Sequence, residues 1–120
     1  MNPASRSLNL PGQHEYHGAP FPLALEVTAD SLEDACAWIT ENATDLDVQA
    51  AAHGAVLLRG LPLATPEDFD AVVGAFGFPN FSYADSLSNA YRLNYTPRVF
   101  SANEAPPEVT IFLHHEMAQT

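Results

Sequence analysis

Hydrophobic residues recur along the chain with spacings that predict one strand followed by two helices. Segment 21–27 is almost entirely apolar, as expected for a short strand. Apolar positions then repeat every three or four residues over 31–42, which predicts a helix with Ser31 as its N-cap. A second helix is predicted over 44–54, with Gly54 in the position after the last helical residue that glycine commonly occupies.

The next apolar run predicts a buried strand and then a third helix. Segment 54–60 is nearly continuous in its apolar character, which is typical of a strand buried on both faces. Thr65 and Pro66 suit the N-cap and the first position of a helix that Gly77 would end. Its apolar residues share the three-and-four spacing and are predicted to face the core: Phe69, Val72, Val73 and Phe76.

The first twenty residues show no such periodicity. Segment 1–20 is polar and contains several prolines and glycines, so we expect a flexible N-terminal arm. His14 and His17 have a spacing that can bind a metal on a helix, but the prolines and glycines on both sides argue against a helix. A solvated tail is therefore the preferred interpretation.

Periodicity also fades over 80–107, where polar and aromatic residues mix. A long irregular segment before a possible metal-binding strand is where a lid or a substrate loop would lie, and an ordinary loop explains it equally well. Val99 and Phe100 are expected to form a short strand before a turn at 105–107.

The last segment carries the candidate chemistry. Val109–Leu113 is rich in β-branched and large apolar residues, which predicts a strand that leads into His114, His115 and Glu116. In a strand, residues i and i+2 share a face, so the α-carbons of His114 and Glu116 would lie roughly 6.6 Å apart. An imidazole and a carboxylate at that separation can bind one metal ion, whereas His115 would point to the opposite face.

A His-x-carboxylate pair is two thirds of the ligand set, two histidines and one carboxylate, that binds non-haem Fe(II). A chain of this composition contains about 0.6 such pairs by chance, so the pair alone does not establish a site. A strand end that carries polar residues to the surface is the alternative interpretation.

Composition narrows the class of protein. The chain has 120 residues, of which 47% are hydrophobic and 16% charged, as expected for one globular domain. A net charge of -11 with 4 Lys+Arg argues against nucleic acid or an anionic membrane as a partner. Cys36 is the single cysteine, which leaves no internal disulfide and suits a small core residue. Without a signal-like or membrane-spanning apolar run, we expect a soluble, cytoplasmic protein.

The positive side chains are all arginines: Arg6, Arg59, Arg92 and Arg98. Arg59 lies at the end of the predicted strand 54–60, where it could contact a ligand. An ion pair at the rim of the sheet is the simpler interpretation for this side chain.

Several motifs occur in an order that resembles a known enzyme family. They are the strand His53–Gly60, the helix stripe Phe69-x-x-Val72-Val73-x-x-Phe76, the pair Tyr91-Arg92, and the segments 99–107 and 111–117. This order resembles the N-terminal part of the TauD/TfdA-like Fe(II)/2-oxoglutarate-dependent dioxygenases. The His-x-Glu form of the metal motif is similar to the clavaminate synthase-like and syringomycin-pathway branch. The resemblance runs from about Phe21 to the end of the chain.

The resemblance implies a fold and a site. The fold would be α+β, with N-terminal helices and the first strands of an incomplete double-stranded β-helix (jelly roll) over 21–120, after the arm 1–20. His114 and Glu116 match the first two iron ligands, and Thr120 sits where such enzymes place a hydroxyl near the 2-oxoglutarate carboxylate. The third ligand of the family, a histidine, and the arginine that binds the distal carboxylate of 2-oxoglutarate have no match in this sequence.

The resemblance also implies a reaction. Family members bind Fe(II) and the cosubstrate 2-oxoglutarate, and oxidative decarboxylation of the latter with O2 drives hydroxylation of a small substrate. In this branch the substrate resembles an amino acid, free or carrier-bound. With two protein ligands, the 120 residues alone are expected to be inactive, and self-association or a complementing C-terminal segment is expected. A non-catalytic remnant or binding module is the alternative.

Overall fold

The computed structural model describes residues 4–80, 92–102 and 104–114. The chain divides into two compact units, Met1–Gly77 and Phe78–Thr120. The first unit contains β1 (Ala4–Leu8), β2 (His14–Tyr16), β3 (Ala19–Phe21), β4 (Leu23–Thr28), α1 (Leu32–His53), β5 (Val56–Arg59) and α2 (Pro66–Ala75). The two helices and small sheets make the fold α+β, as predicted, while the jelly roll stays a prediction.

The sheet of the first unit has three strands in the order β1-β4-β5. β4 pairs antiparallel with β1 and parallel with β5. A parallel pair requires a long crossover connection, and α1 provides it between β4 and β5. The apolar strands predicted over 21–27 and 54–60 are therefore present as β4 and β5, and they lie side by side.

Strands occur where the sequence predicted a flexible arm over 1–20. β1 is an edge strand, and β2 and β3 form a hairpin. His17 and Gly18 both have positive φ (54° and 80°), as required in a tight two-residue hairpin turn. The side chain of Gln13 holds the loop before β2, because its Oε1 accepts the N–H of Leu10 at 2.6 Å while its Nε2 donates to the carbonyl of Pro22 at 2.7 Å. β1 and β2 are short, exposed and mostly polar, so their composition resembles that of a tail. The domain boundary predicted at residue 21 stays a prediction.

α1 is one continuous helix, whereas the sequence predicted two helices that meet near residue 43. Asn42 is accommodated inside the helix because its Nδ2 donates to the carbonyl of Trp38, one turn earlier, at 2.8 Å. Trp38 and Leu46, on either side of the expected break, are both buried in the same core. Burial of this face outweighs the weak helix propensity of the polar residues between them.

The ends of α1 agree with the prediction. Ser31 is the N-cap, and its hydroxyl accepts a hydrogen bond from the backbone N–H of Asp34 at 3.1 Å. Gly54 follows the last helical residue with φ 88°, and its N–H donates to the carbonyl of Ala50 at 2.8 Å. Both signals are local, which explains why the sequence predicts them.

The core of the first unit lies where α1, α2 and the sheet meet. Among the described residues, seven hydrophobic side chains are buried, and five of them form one cluster: Val27, Trp38, Ile39, Leu46 and Val72. β5 contributes less than expected, because Val56, Leu57 and Leu58 are only half-buried, not buried on both faces as predicted. β5 is an edge strand of this sheet, and an edge strand is covered less completely than a central one.

α2 begins as predicted but buries less than predicted. The hydroxyl of Thr65 accepts from the N–H of Asp68, and the carboxylate of Asp68 accepts from the N–H of Thr65, a reciprocal capping box. Val72 is buried, yet Phe69 and Val73 are 48% and 37% exposed. The prediction that the whole stripe faces the core is therefore wrong for these two residues.

The second unit contains a hairpin-like turn in its described part. The N–H of Ser101 donates to the carbonyl of Leu93 at 2.8 Å, and the N–H of Tyr95 donates to the carbonyl of Val99 at 2.8 Å. The strand expected at Val99 and Phe100 is reduced to one isolated antiparallel bridge, between Asn94 and Phe100.

The strand predicted over 109–113 is not observed, since residues 109–114 are described and contain no strand. A strand needs a partner for its backbone hydrogen bonds, and no described segment pairs with this one. Within the described ranges, no helix is long and apolar enough to cross a membrane.

Candidate metal centre

His114 is the one residue of the predicted metal motif that the structure describes. Its Nδ1 lies 2.7 Å from the carbonyl oxygen of Phe112. A carbonyl oxygen can only accept, so Nδ1 carries the proton and donates. In the neutral imidazole, Nε2 is then the unprotonated nitrogen. Histidines that bind metals commonly donate their other ring N–H to a backbone carbonyl in this way. In its neutral form, the imidazole of His114 would therefore have Nε2 as the nitrogen that can bind a metal.

The rest of the predicted motif lies outside the described residues. This applies to Glu116 and Thr120, and also to His115. The pairing of His114 with Glu116 stays a prediction, and the strand geometry invoked for it is not observed at 109–114. Among the described residues, no group of three His, Cys, Asp or Glu side chains could hold a metal ion.

The segment before His114 exposes a run of large apolar side chains. Phe112 is 79% exposed and Leu113 fully exposed, and Val109 and Ile111 are about half exposed. A turn precedes the run, in which the N–H of Val109 donates to the carbonyl of Pro106 at 3.0 Å. Consecutive exposed apolar residues usually mark a surface that contacts another segment or protein.

The second unit also holds two of the four arginines. The guanidinium of Arg92 lies over the ring of Phe100, 5.6 Å from its centroid, and its Nη1 donates to the carbonyl of Ser101 at 3.3 Å. Arg98 lies at the tip of the same hairpin, where the hydroxyl of Thr96 accepts the N–H of Arg98 at 3.2 Å.

The first unit contains three residues that the sequence singled out as possible ligand or metal contacts: Arg59, His14 and His17. Arg59 is exposed, and the ion pair with the neighbouring Glu26 is made by Arg6 instead. This ion pair raises the pKa of Arg6, through the hydrogen bond and the charge of Glu26. His14 and His17 lie on the exposed hairpin.

Cys36 packs against the core, as predicted for a small core residue. Burial raises the pKa of its thiol above the ordinary value, so the reactive thiolate form is disfavoured.

His53 has a role that the sequence does not reveal. It lies in the last turn of α1, and its Nδ1 is 2.8 Å from the carbonyl oxygen of Pro20, to which it donates. This hydrogen bond connects the β2–β3 hairpin to the end of the helix. The partner is 33 residues away and is a backbone group, so no sequence signal identifies it.

No protein-family model matches the chain. The chain is 38% identical over 117 residues to a clavaminate synthase-like protein of Arabidopsis thaliana. The alignment covers 92% of the present chain and 35% of the plant protein, so the chain spans about a third of the length of this curated relative. The similarity supports a relationship to clavaminate synthase-like proteins, the group to which the order of motifs pointed. Membership of the TauD/TfdA-like branch stays a prediction.

Proposed function

We propose that this chain is the N-terminal part of an Fe(II)/2-oxoglutarate-dependent dioxygenase that hydroxylates a small, amino-acid-like substrate. The observation that carries the proposal is the 38% identity to a clavaminate synthase-like protein across 92% of the chain. The motif His114-x-Glu116, at the end of a strand-forming sequence, agrees with it. The family relationship makes this motif far more specific than a histidine and a carboxylate at the same spacing in an unrelated chain.

In this proposal His114 and Glu116 are two of the three protein ligands of Fe(II). The hydrogen bond from Nδ1 of His114 to the carbonyl of Phe112 would favour the tautomer whose Nε2 can bind the metal. Thr120 would place its hydroxyl near the 2-oxoglutarate carboxylate. When bound, Fe(II) would activate O2, and oxidative decarboxylation of 2-oxoglutarate to succinate and CO2 would supply the two electrons that balance transfer of one oxygen atom to the substrate.

The exposed segment 109–113 has a defined role in the proposed enzyme. Its β-branched and aromatic residues would form a strand once neighbouring strands of a jelly roll satisfy its backbone N–H and carbonyl groups. The strand would then place His114 and Glu116 on the same face. Formation of the site is thus coupled to completion of the sheet.

The third iron ligand and the arginine for 2-oxoglutarate would come from a complementing C-terminal segment, in the same polypeptide or in another. Two protein ligands form an exchangeable site of low affinity, because each missing ligand leaves a position to water. We therefore expect the 120 residues to bind Fe(II) weakly and not to turn over.

A non-catalytic remnant or binding module is the second candidate. The observation in its favour is that residues 109–114, which lead into the motif, form no strand. In this alternative, the first unit would be a folded helix–sheet module and the His-x-Glu motif would have no function.

An anaerobic titration separates the two candidates. The affinity of the chain for Fe(II) is measured with and without 2-oxoglutarate, and the visible metal-to-ligand charge-transfer band is followed against a protein-free control. The dioxygenase proposal expects 2-oxoglutarate to tighten Fe(II) binding and to produce a protein-dependent band, since the cosubstrate chelates the protein-bound metal. If the titrations with protein and without protein coincide, the isolated chain forms no iron site by itself. The same coincidence after the chain replaces the matched part of the Arabidopsis protein would make the remnant interpretation replace the enzyme.

A further inference from the structure

We draw no further inference here: the strongest candidate, the exposed aromatic surface that His14, Tyr16 and Phe21 form on the β2–β3 hairpin, carries nothing, because these rings pack against one another and so stabilise the hairpin itself, and nothing in the described part of the chain shows what ligand or partner would cover them.

Discussion

Gly60, at the end of β5, is predicted to be the least replaceable glycine of the described part of the chain. Its φ is +88°, and a Cβ atom at this position would lie 2.6 Å from the carbonyl oxygen of Val27. Val27 is a fully buried residue of the central strand β4, so its backbone is held by pairing and packing and cannot move away without cost. Gly60→Ala therefore combines an unfavourable φ with a steric clash against the core.

The two contributions can be separated with Gly12. This residue has nearly the same φ, +83°, but nothing lies within 4 Å of the Cβ that an alanine would add. The positive φ costs about 1–2 kcal/mol for an L-residue. Forcing extra volume into packed structure costs about 1–3 kcal/mol more. Gly12→Ala should therefore lower the free energy of unfolding by the first contribution alone, about 1–2 kcal/mol. Gly60→Ala should lower it by the sum of the two, about 2–5 kcal/mol.

Urea unfolding followed by the fluorescence of Trp38 measures the difference directly. Trp38 is the single tryptophan and belongs to the core that the clash would disturb. With a slope of about 1 kcal/mol per molar urea for a small unit, the unfolding midpoint of Gly60→Ala should lie about 1–3 M below that of Gly12→Ala. Equal midpoints for the two variants would refute the close approach of β5 to β4 at Gly60.

Three further predictions test the core, a helix cap and a long-range hydrogen bond. Ile39→Ala removes a fully buried side chain and should cost about 2–5 kcal/mol of unfolding free energy in the same urea assay. Hydrogen bonds from the N–H groups of Ala64 and Thr65 lower the pKa of Asp68 below its usual value of 3.8. The ionised Asp68 carboxylate therefore stabilises the folded chain fully above pH 3.8. This stabilisation is lost as the pH falls through the lower pKa of the folded state. Asp68→Asn should accordingly reduce the dependence of Tm on pH in this acidic window, and an unchanged profile would count against the capping box. His53→Ala removes the donor to the Pro20 carbonyl, and hydrogen exchange should then accelerate in the β2–β3 hairpin but not in the middle of α1; uniform acceleration would contradict the local role of His53.

Features set by neighbouring residues were predictable from the sequence. Ser31 and Thr65 cap their helices, and Gly54 follows the end of α1, because each depends on hydrogen bonds within one helical turn. β4 and β5 were predictable for a related reason, since short apolar runs between turn residues favour strands. The His-x-Glu motif and the order of the surrounding motifs pointed to the same group of proteins as the plant relative.

Features set by distant residues were not predictable. The low helix propensity of Asn42 predicts a helix end at this residue. The helix nevertheless continues past Asn42, because a continuous helix buries both Trp38 and Leu46 in the core. The periodicity of α2 identifies an apolar stripe without showing which half another element covers, so Phe69 was misplaced in the core. Segment 109–113 was also not predictable from local sequence. Its residues favour a strand, but a strand forms only where a neighbouring strand accepts and donates its backbone hydrogen bonds.

The central claim, that His114 and Glu116 bind the iron, is tested most directly by anaerobic calorimetry of Fe(II) binding. The wild-type chain is compared with His114→Ala and Glu116→Gln, and His115→Ala serves as the matched control because it removes an adjacent imidazole. We predict that the first two substitutions weaken Fe(II) binding at least about tenfold and that His115→Ala leaves it unchanged. Wild-type affinity in His114→Ala, or an equal loss in His115→Ala, would contradict the assignment of the metal site.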